Sequence, residues 1–387
     1  MQVDVLIVGA GPTGLGFARA LAGCGLSIAL VERQAEPSLR EPADDGREIA
    51  LTHWSIRLLR ELGAWRHLCE AEISPLRGAA VLNGTSRHML TFDSGDPHRD
   101  LGALVPNHAI RRALFETVAD QPGITLLTDR SVTAITRSRS SVTATLSDGA
   151  RISGRLLVAA DSRQSAARTL LGIDCARRDL QRSMLVCRVR HPLDHKRTAT
   201  EWFDHHHTIA MLPLNGGRSS AVLTAASVEI DVLAKLSMAD LGAELTRRYS
   251  GRLGPMAVEG EAHVYPLVTT YARQFATSRA ALIGDAAVGM HPVTAHGFNL
   301  GLRGQDVLAM LVRDAAFRGT DIGASDVLRR YERTNRRATR PLYTATNLLA
   351  GLYADERPAA RIARHAALRL AHLPFVQRSV SSILMHN

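Results

Sequence analysis

The chain has 387 residues, 45% hydrophobic and 4% aromatic, enough to bury a large cofactor and more than one usual core holds. Its 47 Lys and Arg against 37 Asp and Glu give a formal charge of +10, which favours anionic partners, but sparse aromatics and scattered arginines argue against nucleic acid. Cys24, Cys69, Cys175 and Cys187 form no CxxC pair, which excludes an encoded zinc site or disulfide framework; with no secretory signal and no apolar run of membrane-spanning length, the expected location is cytoplasmic, at most peripheral on the inner face of the membrane.

The apolar segment Val3 to Val8 reads as a strand that runs into Gly9-Ala10-Gly11-Pro12-Thr13-Gly14, with a helix starting near Pro12. A second apolar segment ends in the carboxylate of Glu32. Strand, tight turn, helix N-terminus, strand and acid, in that order, make a βαβ dinucleotide pocket. Glycines let backbone approach a pyrophosphate, the helix start offers N–H groups and dipole, and the acid binds ribose hydroxyls. A GxGxxG alone is a weak signal; completed by Glu32 it points to an adenine dinucleotide, with FAD and NAD both open.

A polar loop from Gln34 to Gly46 leads to Arg47-Glu48-Ile49-Ala50-Leu51 and a helical stretch to about Leu62, where Gly63 is a stop. Arg77 to Val105 reads as short strands, Asn107 to Val118 as a helix, and Thr125 to Ala160 as a strand meander with a hairpin at Ser147-Asp148-Gly149. The meander ends in Leu156 to Ala160, a buried strand that delivers Asp161, with Ser165 and Arg168 following. Strands dominate again from Leu185 to about Ala226, and Met238 to Tyr249 reads as helical. Asp204-His205-His206-His207 reads as a solvated turn: adjacent strand histidines point to opposite faces and no fourth ligand is spaced for a metal, so none is expected.

Ala280 to Ile283 is a strand into Gly284-Asp285-Ala286-Ala287, and the helix from Gly297 carries Leu300, Val307, Leu308 and Leu311 on one face. Gly297, Gly301 and Gly304 permit close packing there. From Ala359 to His372 an apolar face (Ile362, Ala363, Ala366, Leu370) opposes a basic one (Arg361, Arg364, Arg369), a pattern that either packs on its own protein or rests on an anionic membrane.

The glycine turn with Glu32, the strand end at Asp161, and Gly284-Asp285 feeding Pro292 and Gly297 resemble, over nearly the whole chain, the FAD-dependent aromatic-ring monooxygenases of the para-hydroxybenzoate hydroxylase type. Arg47 to Leu51 followed by Trp65, Ala210-Met211-Leu212-Pro213, His291-Pro292, Asn299-Leu300-Gly301-Leu302 and Leu373-Pro374 look like the branch that hydroxylates rings in ubiquinone biosynthesis. The resemblance implies an α/β fold: a Rossmann-like FAD-binding domain (GR2-type flavoprotein fold) with an inserted, mainly antiparallel β substrate domain and a C-terminal helical tail. The expected boundaries are 1–75, 106–181 and 272–340 for the FAD-binding domain, 76–105 and 182–271 for the substrate domain, and 341–387 for the tail.

It further implies that Gly9, Gly11, Pro12, Thr13, Gly14, Glu32, Arg33, Arg47, Arg111, Asp161, Gly284, Asp285, Pro292, Gly297, Phe298 and Asn299 bind FAD, and that Pro292, His296 and Gly297 form the catalytic set. Backbone N–H groups near Gly297, Phe298 and Asn299 would stabilise the anionic edge of reduced flavin, and His296 would bond the substrate or shuttle a proton. NADPH or NADH would serve as reductant, with a flavin C4a-hydroperoxide attacking the ring of a prenylated phenol. The expected partners are that small aromatic or polyprenyl-phenol substrate, a peripheral membrane contact and other quinone-biosynthesis proteins.

Three positions depart from the family pattern. Asp161-Ser162 stands for Asp-Gly, Val288 for a common histidine, and Ala295-His296 for Gly-Gln. Serine tolerates unusual dihedrals less well than glycine, which puts the turn at Asp161 in question. An apolar, low-charge chamber walled by Met211 to Leu214 and Ala221 to Thr224 favours the prenylated phenol. A soluble aromatic acid would call for a buried arginine, and a non-catalytic escort-type binding protein is the alternative from another class.

Overall fold

The computed structural model describes residues 1–84, 89–96, 99–204, 207–291 and 297–354. Pro292, His296, the histidines 205 and 206, and the stretches 359–372 and 373–374 lie outside them. β1 (Gln2–Val8), apolar from Val5 onward, and the wholly apolar β2 (Ile28–Val31) pair in parallel around α1 (Pro12–Ala20), as strands covered on both faces do. Next come α2 (Glu36–Arg40), β3 (Glu48–Thr52) and α3 (His53–Glu61), which stops at Gly63 with φ +78°. The short strands β4 (Ser74–Leu76), β5 (Gly78–Asn83), β6 (Leu90–Asp93) and β7 (Gly102–Pro106) precede α4 (Asn107–Glu116).

β8 (Ile124–Leu127) corrects the meander expected from Thr125: it lies parallel beside β2, so that only β9 (Val132–Arg137), β10 (Val142–Leu146) and β11 (Arg151–Ala159) form the antiparallel run. α5 (Ala166–Leu170) leads into β12 (Cys175–Arg190), which begins ten residues before the expected Leu185 because its exposed start, with Arg177, Arg178 and Asp179, hides the strand pattern. Its long partner is β16 (Ala257–Ala272), and the expected boundary at 181 falls inside β12.

β13 (Thr198–Phe203), β14 (Thr208–Leu214) and β15 (Arg218–Ala226) continue this second sheet, whose order is β19-β16-β12-β15-β14-β13-β5-β6. Two helices, α6 (Ser227–Leu233) and α7 (Met238–Arg248), cover one of its faces; the first was not apparent from the sequence pattern. The chain returns through β17 (Ala276–Thr277), β18 (Ala280–Leu282) and β19 (Val288–Gly289) to α8 (Gly297–Phe317) and α9 (Ser325–Ala354).

The first sheet runs β17-β18-β11-β1-β2-β8, with β10 and β9 attached to β11. Its core holds Val5, Leu30, Leu157, Leu282 and Leu308. A second core lies between the second sheet and α6 and α7, and takes Leu185, Cys187, Val189, Ile209, Met211, Ala221 and Leu223. Met211 and Ala221 therefore point away from the first sheet. By the two-residue period of strands, the opposite face carries Val186, Arg188, Ala210, Leu212, Ser220 and Val222. A three-stranded sheet, β3-β7-β4, lies against β14 on the side of the first core.

Candidate active site

Each glycine of the first turn has its own reason to be glycine. Gly9 has φ +105°, and a β-carbon on it would fall 2.6 Å from the Ala160 carbonyl oxygen and the Asp161 Cα; on Gly14 it would fall 1.9 Å from the Gly9 oxygen. Gly11 differs: a β-carbon there would meet nothing within 4 Å. Tight turn, open approach and close packing are the three duties of a pyrophosphate-binding glycine turn, so the open backbone at Gly11 suits a phosphate ligand. α1 starts at Pro12 with Gly11 as N-cap and no side-chain cap, which leaves its N-terminal dipole facing that opening.

Glu32 ends β2 almost buried, its carboxylate fixed by the N–H groups of Ala10 at 2.7 Å and Gln34 at 2.9 Å. A carboxylate has about four lone-pair sites, so two remain for ribose hydroxyls. Arg33 beside it is exposed. Arg111 on α4 donates to Gln34 Oε1 at 3.1 Å; burial first, then nearby Arg47, pulls its pKa down against the attraction of Asp45 and Glu32. Arg47 is held by Asp45 at 2.6 Å and lies over the Tyr265 ring at 5.4 Å. Asp45 also accepts from Asn107 at 2.7 Å, and Tyr265 donates to the Asp45 carbonyl at 2.7 Å. Asp45, Asn107 and Tyr265 come from distant segments with no shared motif, and sequence reasoning missed all three.

The second and third segments close on the first. Thr13 sits against Gly284, where a β-carbon would lie 2.7 Å from Thr13 Oγ1, and Gly301 of α8 packs on the same pair. Asp285 is exposed and receives Arg163 Nη2 at 3.3 Å, while Arg163 Nη1 donates to the Val268 carbonyl at 2.8 Å. The buried Arg168 donates to the carbonyls of Ala286 at 2.9 Å and Arg163 at 3.2 Å, which fastens the Asp161 segment to the Gly284 segment.

Asp161 spends its carboxylate on the start of α5, accepting from Ser165 Oγ at 2.5 Å and Ala167 N–H at 3.2 Å, so it faces the glycine turn through backbone. Ser162 has no positive φ, and the substitution for glycine carries no strain. Val288 pairs with Tyr271 in β19 and is buried in the first core.

Gly297 opens α8 beside Met290, and Phe298 packs on the first core. Asn299 is buried; its Oδ1 accepts from Ser55 Oγ at 2.6 Å and its Nδ2 donates to the Ala50 carbonyl at 2.9 Å, which ties the start of α8 to β3 and α3. His291, ahead of Pro292, is buried, and burial reinforced by Arg163 and Arg182 lowers its pKa to about 4, so it is neutral at pH 7.

The inner face of the second sheet overturns the expectation of a low-charge wall. Arg188 reaches from it to Asp44 and Glu48, each at 2.9 Å, and Glu201 stands on the same face. Both strand parities are apolar around Met211 and Ala221, so the sequence reading took the whole stretches Met211 to Leu214 and Ala221 to Thr224 as the wall, whereas Met211, Ala221 and Leu223 belong to the second core.

The residues present fit FAD: an open glycine turn, an oriented ribose acid, two arginines at the rim and an acid at the end of β18. The FAD binding domain family matches residues 2–345, and the chain belongs to that family. It is 45% identical over 374 residues to ubiquinone hydroxylase UbiM of Neisseria meningitidis serogroup C, covering 95% of this chain and 81% of that one. It is 34% identical over 365 residues to ubiquinone hydroxylase UbiL of Rhodospirillum rubrum, covering 94% and 85%. Among solved structures, the OxyS anhydrotetracycline hydroxylase from Streptomyces rimosus superposes with TM-score 0.75 at 25% identity, covering 100% of this chain and 76% of that chain. The p-nitrophenol 4-monooxygenase PnpA from Pseudomonas putida DLL-E4 does so with TM-score 0.78 at 18% identity, covering 98% and 97%, a likeness of fold.

Proposed function

We propose that this member of the FAD-binding-domain family is an aromatic-ring monooxygenase that hydroxylates a prenylated phenol in ubiquinone biosynthesis. In the balanced reaction a ring C–H, O₂, NAD(P)H and a proton give a ring C–OH, water and NAD(P)⁺. The observation that carries the reading is the meeting of Thr13, Gly284 and Gly301 beside the open Gly11, in a chain 45% identical to a ubiquinone hydroxylase. FAD, when bound, supplies the hydride acceptor and the activation of oxygen; the protein supplies position and exclusion of water.

Glu32 would hold the ribose; Gly9, Gly11, Pro12, Thr13, Gly14, Arg47 and Arg111 would surround the phosphates; and Gly284, Asp285, Gly297, Phe298 and Asn299 would border the ring system. Pro292, His296 and Gly297 are assigned to the catalytic loop. Residues 1–75, 106–181 and 272–340 would form the FAD-binding domain, with 76–105 and 182–271 enclosing substrate.

Arg188 bears on the choice between a prenylated phenol and an aromatic acid: it is committed to Asp44 and Glu48, which leaves it unsuited to a substrate carboxylate. We assign the chain to the cytoplasm, with peripheral contact to the membrane where a polyprenyl substrate resides, alongside other quinone-biosynthesis proteins. The basic excess supports that contact, and among the described residues no helix is long and apolar enough to cross a membrane. The test is mass analysis of quinone intermediates in cells lacking the protein. A precursor short of one ring oxygen should accumulate; an unchanged quinone profile overturns the reading.

A further inference from the structure

β13 alternates between two environments. Trp202 is buried in the second core, whereas Glu201 beside it faces the other way. Glu201 stands opposite Val81 of β5 and Ala210 of β14, and the same cross-strand row continues through Val222 and Val186 to His263. His263 packs its ring against Gly46, in the loop that carries Asp45 and Arg47. In the neighbouring row, Arg188 reaches Asp44 and Glu48 from the same face. β14 lies against β4 and β7, and β3 of that small sheet is tied to the start of α8 through Asn299. The Glu201 carboxyl therefore borders the space between the second sheet and the candidate flavin site.

Among the described residues, none donates a hydrogen bond to this carboxyl or pairs with it, and its neighbours along the row, Val81, Ala210 and Val222, are apolar. Glu201 is not a member of the second core and keeps part of its accessible surface. The charged groups on this face are Arg182, Arg188 and Arg190 of β12, Arg218 of β15, and Glu259 and His263 of β16; Arg188, three strands and about 14 Å away at ordinary strand spacing, is already neutralised by Asp44 and Glu48, and Arg190 is paired with Glu259. Burial alone accordingly pushes the carboxyl up to about 8. An unpaired, largely buried carboxyl costs stability, which makes it a poor structural device and a suitable proton acceptor.

We propose that Glu201 is a catalytic base: its carboxylate takes the proton of the substrate's phenolic O–H and later returns it. The phenolic O–H bond breaks, its electron pair stays on oxygen, and a new O–H forms on the Glu201 carboxyl; nothing is oxidised or reduced in this step. The phenolate ring is the stronger nucleophile toward an oxygen donor. A base that titrates near the working pH suits this task better than an exposed carboxylate near pH 4.3 does against a phenol near pH 10. The assignment rests on the phenol-hydroxylase reading above.

The test uses the FAD-loaded protein with geranylphenol, following the hydroxylation rate as pH is varied. In the wild type, kcat/KM should rise with pH through the ionisation of Glu201 and then level off; Glu201→Gln, which keeps the shape but cannot take a proton, should lack that step and climb only toward the ionisation of the free phenol. FAD content should be unchanged, while hydroxylation at pH 7 falls about 10² to 10⁴-fold and recovers as pH approaches that of the free phenol. Glu201→Asp, which keeps a carboxyl, should retain the carboxyl-dependent step in the pH–rate profile at a reduced rate. Equal pH–rate profiles and equal rates in wild type and Glu201→Gln, or Asp and Gln variants that behave alike, overturn the proposal and leave the hydroxylase reading standing. A wild-type protein that neither binds nor hydroxylates the prenylated phenol brings down both.

Discussion

Arg168 crosses from α5 to donate to the carbonyl of Ala286 at 2.9 Å, and by that one bond two chain segments more than a hundred residues apart are held at a common edge of the candidate flavin site. The same guanidinium bonds the Arg163 carbonyl, and Arg163 in turn holds Asp285. Arg168→Ala leaves buried carbonyls without donors and should cost about 2 to 4 kcal/mol. Thermal denaturation of the FAD-free protein measures that loss, and FAD retention should fall with it. Arg168→Lys should recover only part, since an ammonium cannot span both carbonyls with the guanidinium's planar fork. A variant with unchanged melting would show that the bond is incidental.

Two glycines of one turn should fail in different ways. Gly14→Ala drives a β-carbon into the Gly9 carbonyl and should cost more than about 3 kcal/mol, seen as loss of folded protein. Gly11→Ala meets open space at ordinary dihedrals, so stability should change by less than about 1 kcal/mol. Its FAD affinity should nevertheless fall at least about tenfold, or 1.4 kcal/mol, because the methyl occupies the approach of the pyrophosphate. Full FAD affinity in a folded Gly11→Ala protein would place the phosphates elsewhere.

Asp285 makes a half-exposed ion pair with Arg163, and such pairs contribute about 0 to 1 kcal/mol. Asp285→Ala should therefore melt close to the wild type yet lose its FAD on gel filtration, read as the flavin-to-protein absorbance ratio. A stably yellow Asp285→Ala protein would remove the residue from the cofactor site.

The parts of this site that were legible in the sequence are local ones. Val3 to Glu32 could be read because strand, glycine turn, helix and acid follow one another within a single supersecondary unit, and Gly9 and Gly14 answer to a neighbour in that unit or to the strand end beside it. Asp45, Asn107 and Arg163 could not, since Asn107 and Tyr265 reach Asp45, and Val268 and Asp285 reach Arg163, only in three dimensions. The inner face of the second sheet was not legible for another reason. Met211 and Ala210 are both apolar, so alternation gives no sign of which faces the cofactor, and the sign came from Arg188 bridging to Asp44 and Glu48.

His291 and Glu201 should make stability depend on pH from opposite sides. Burial lowers His291 from 6.5 to about 4, so between these values the unfolded chain binds more protons and stability falls as pH drops through that window, by up to about 3 kcal/mol. Burial raises Glu201 from 4.5 to about 8, so there the folded chain binds more protons and stability falls as pH rises through that window, by about 2 to 4 kcal/mol. Melting temperature against pH, measured for the wild type, His291→Gln and Glu201→Gln, separates the two. His291→Gln should flatten the acid limb between pH 6.5 and 4 and leave the alkaline limb as it was. Glu201→Gln should gain stability relative to the wild type at pH 8 and little at pH 4, where the wild-type carboxyl is already protonated in both states. Curves that merely shift in parallel would mean that neither group titrates differently on folding, and would withdraw the largely buried, unpaired environment assigned to Glu201.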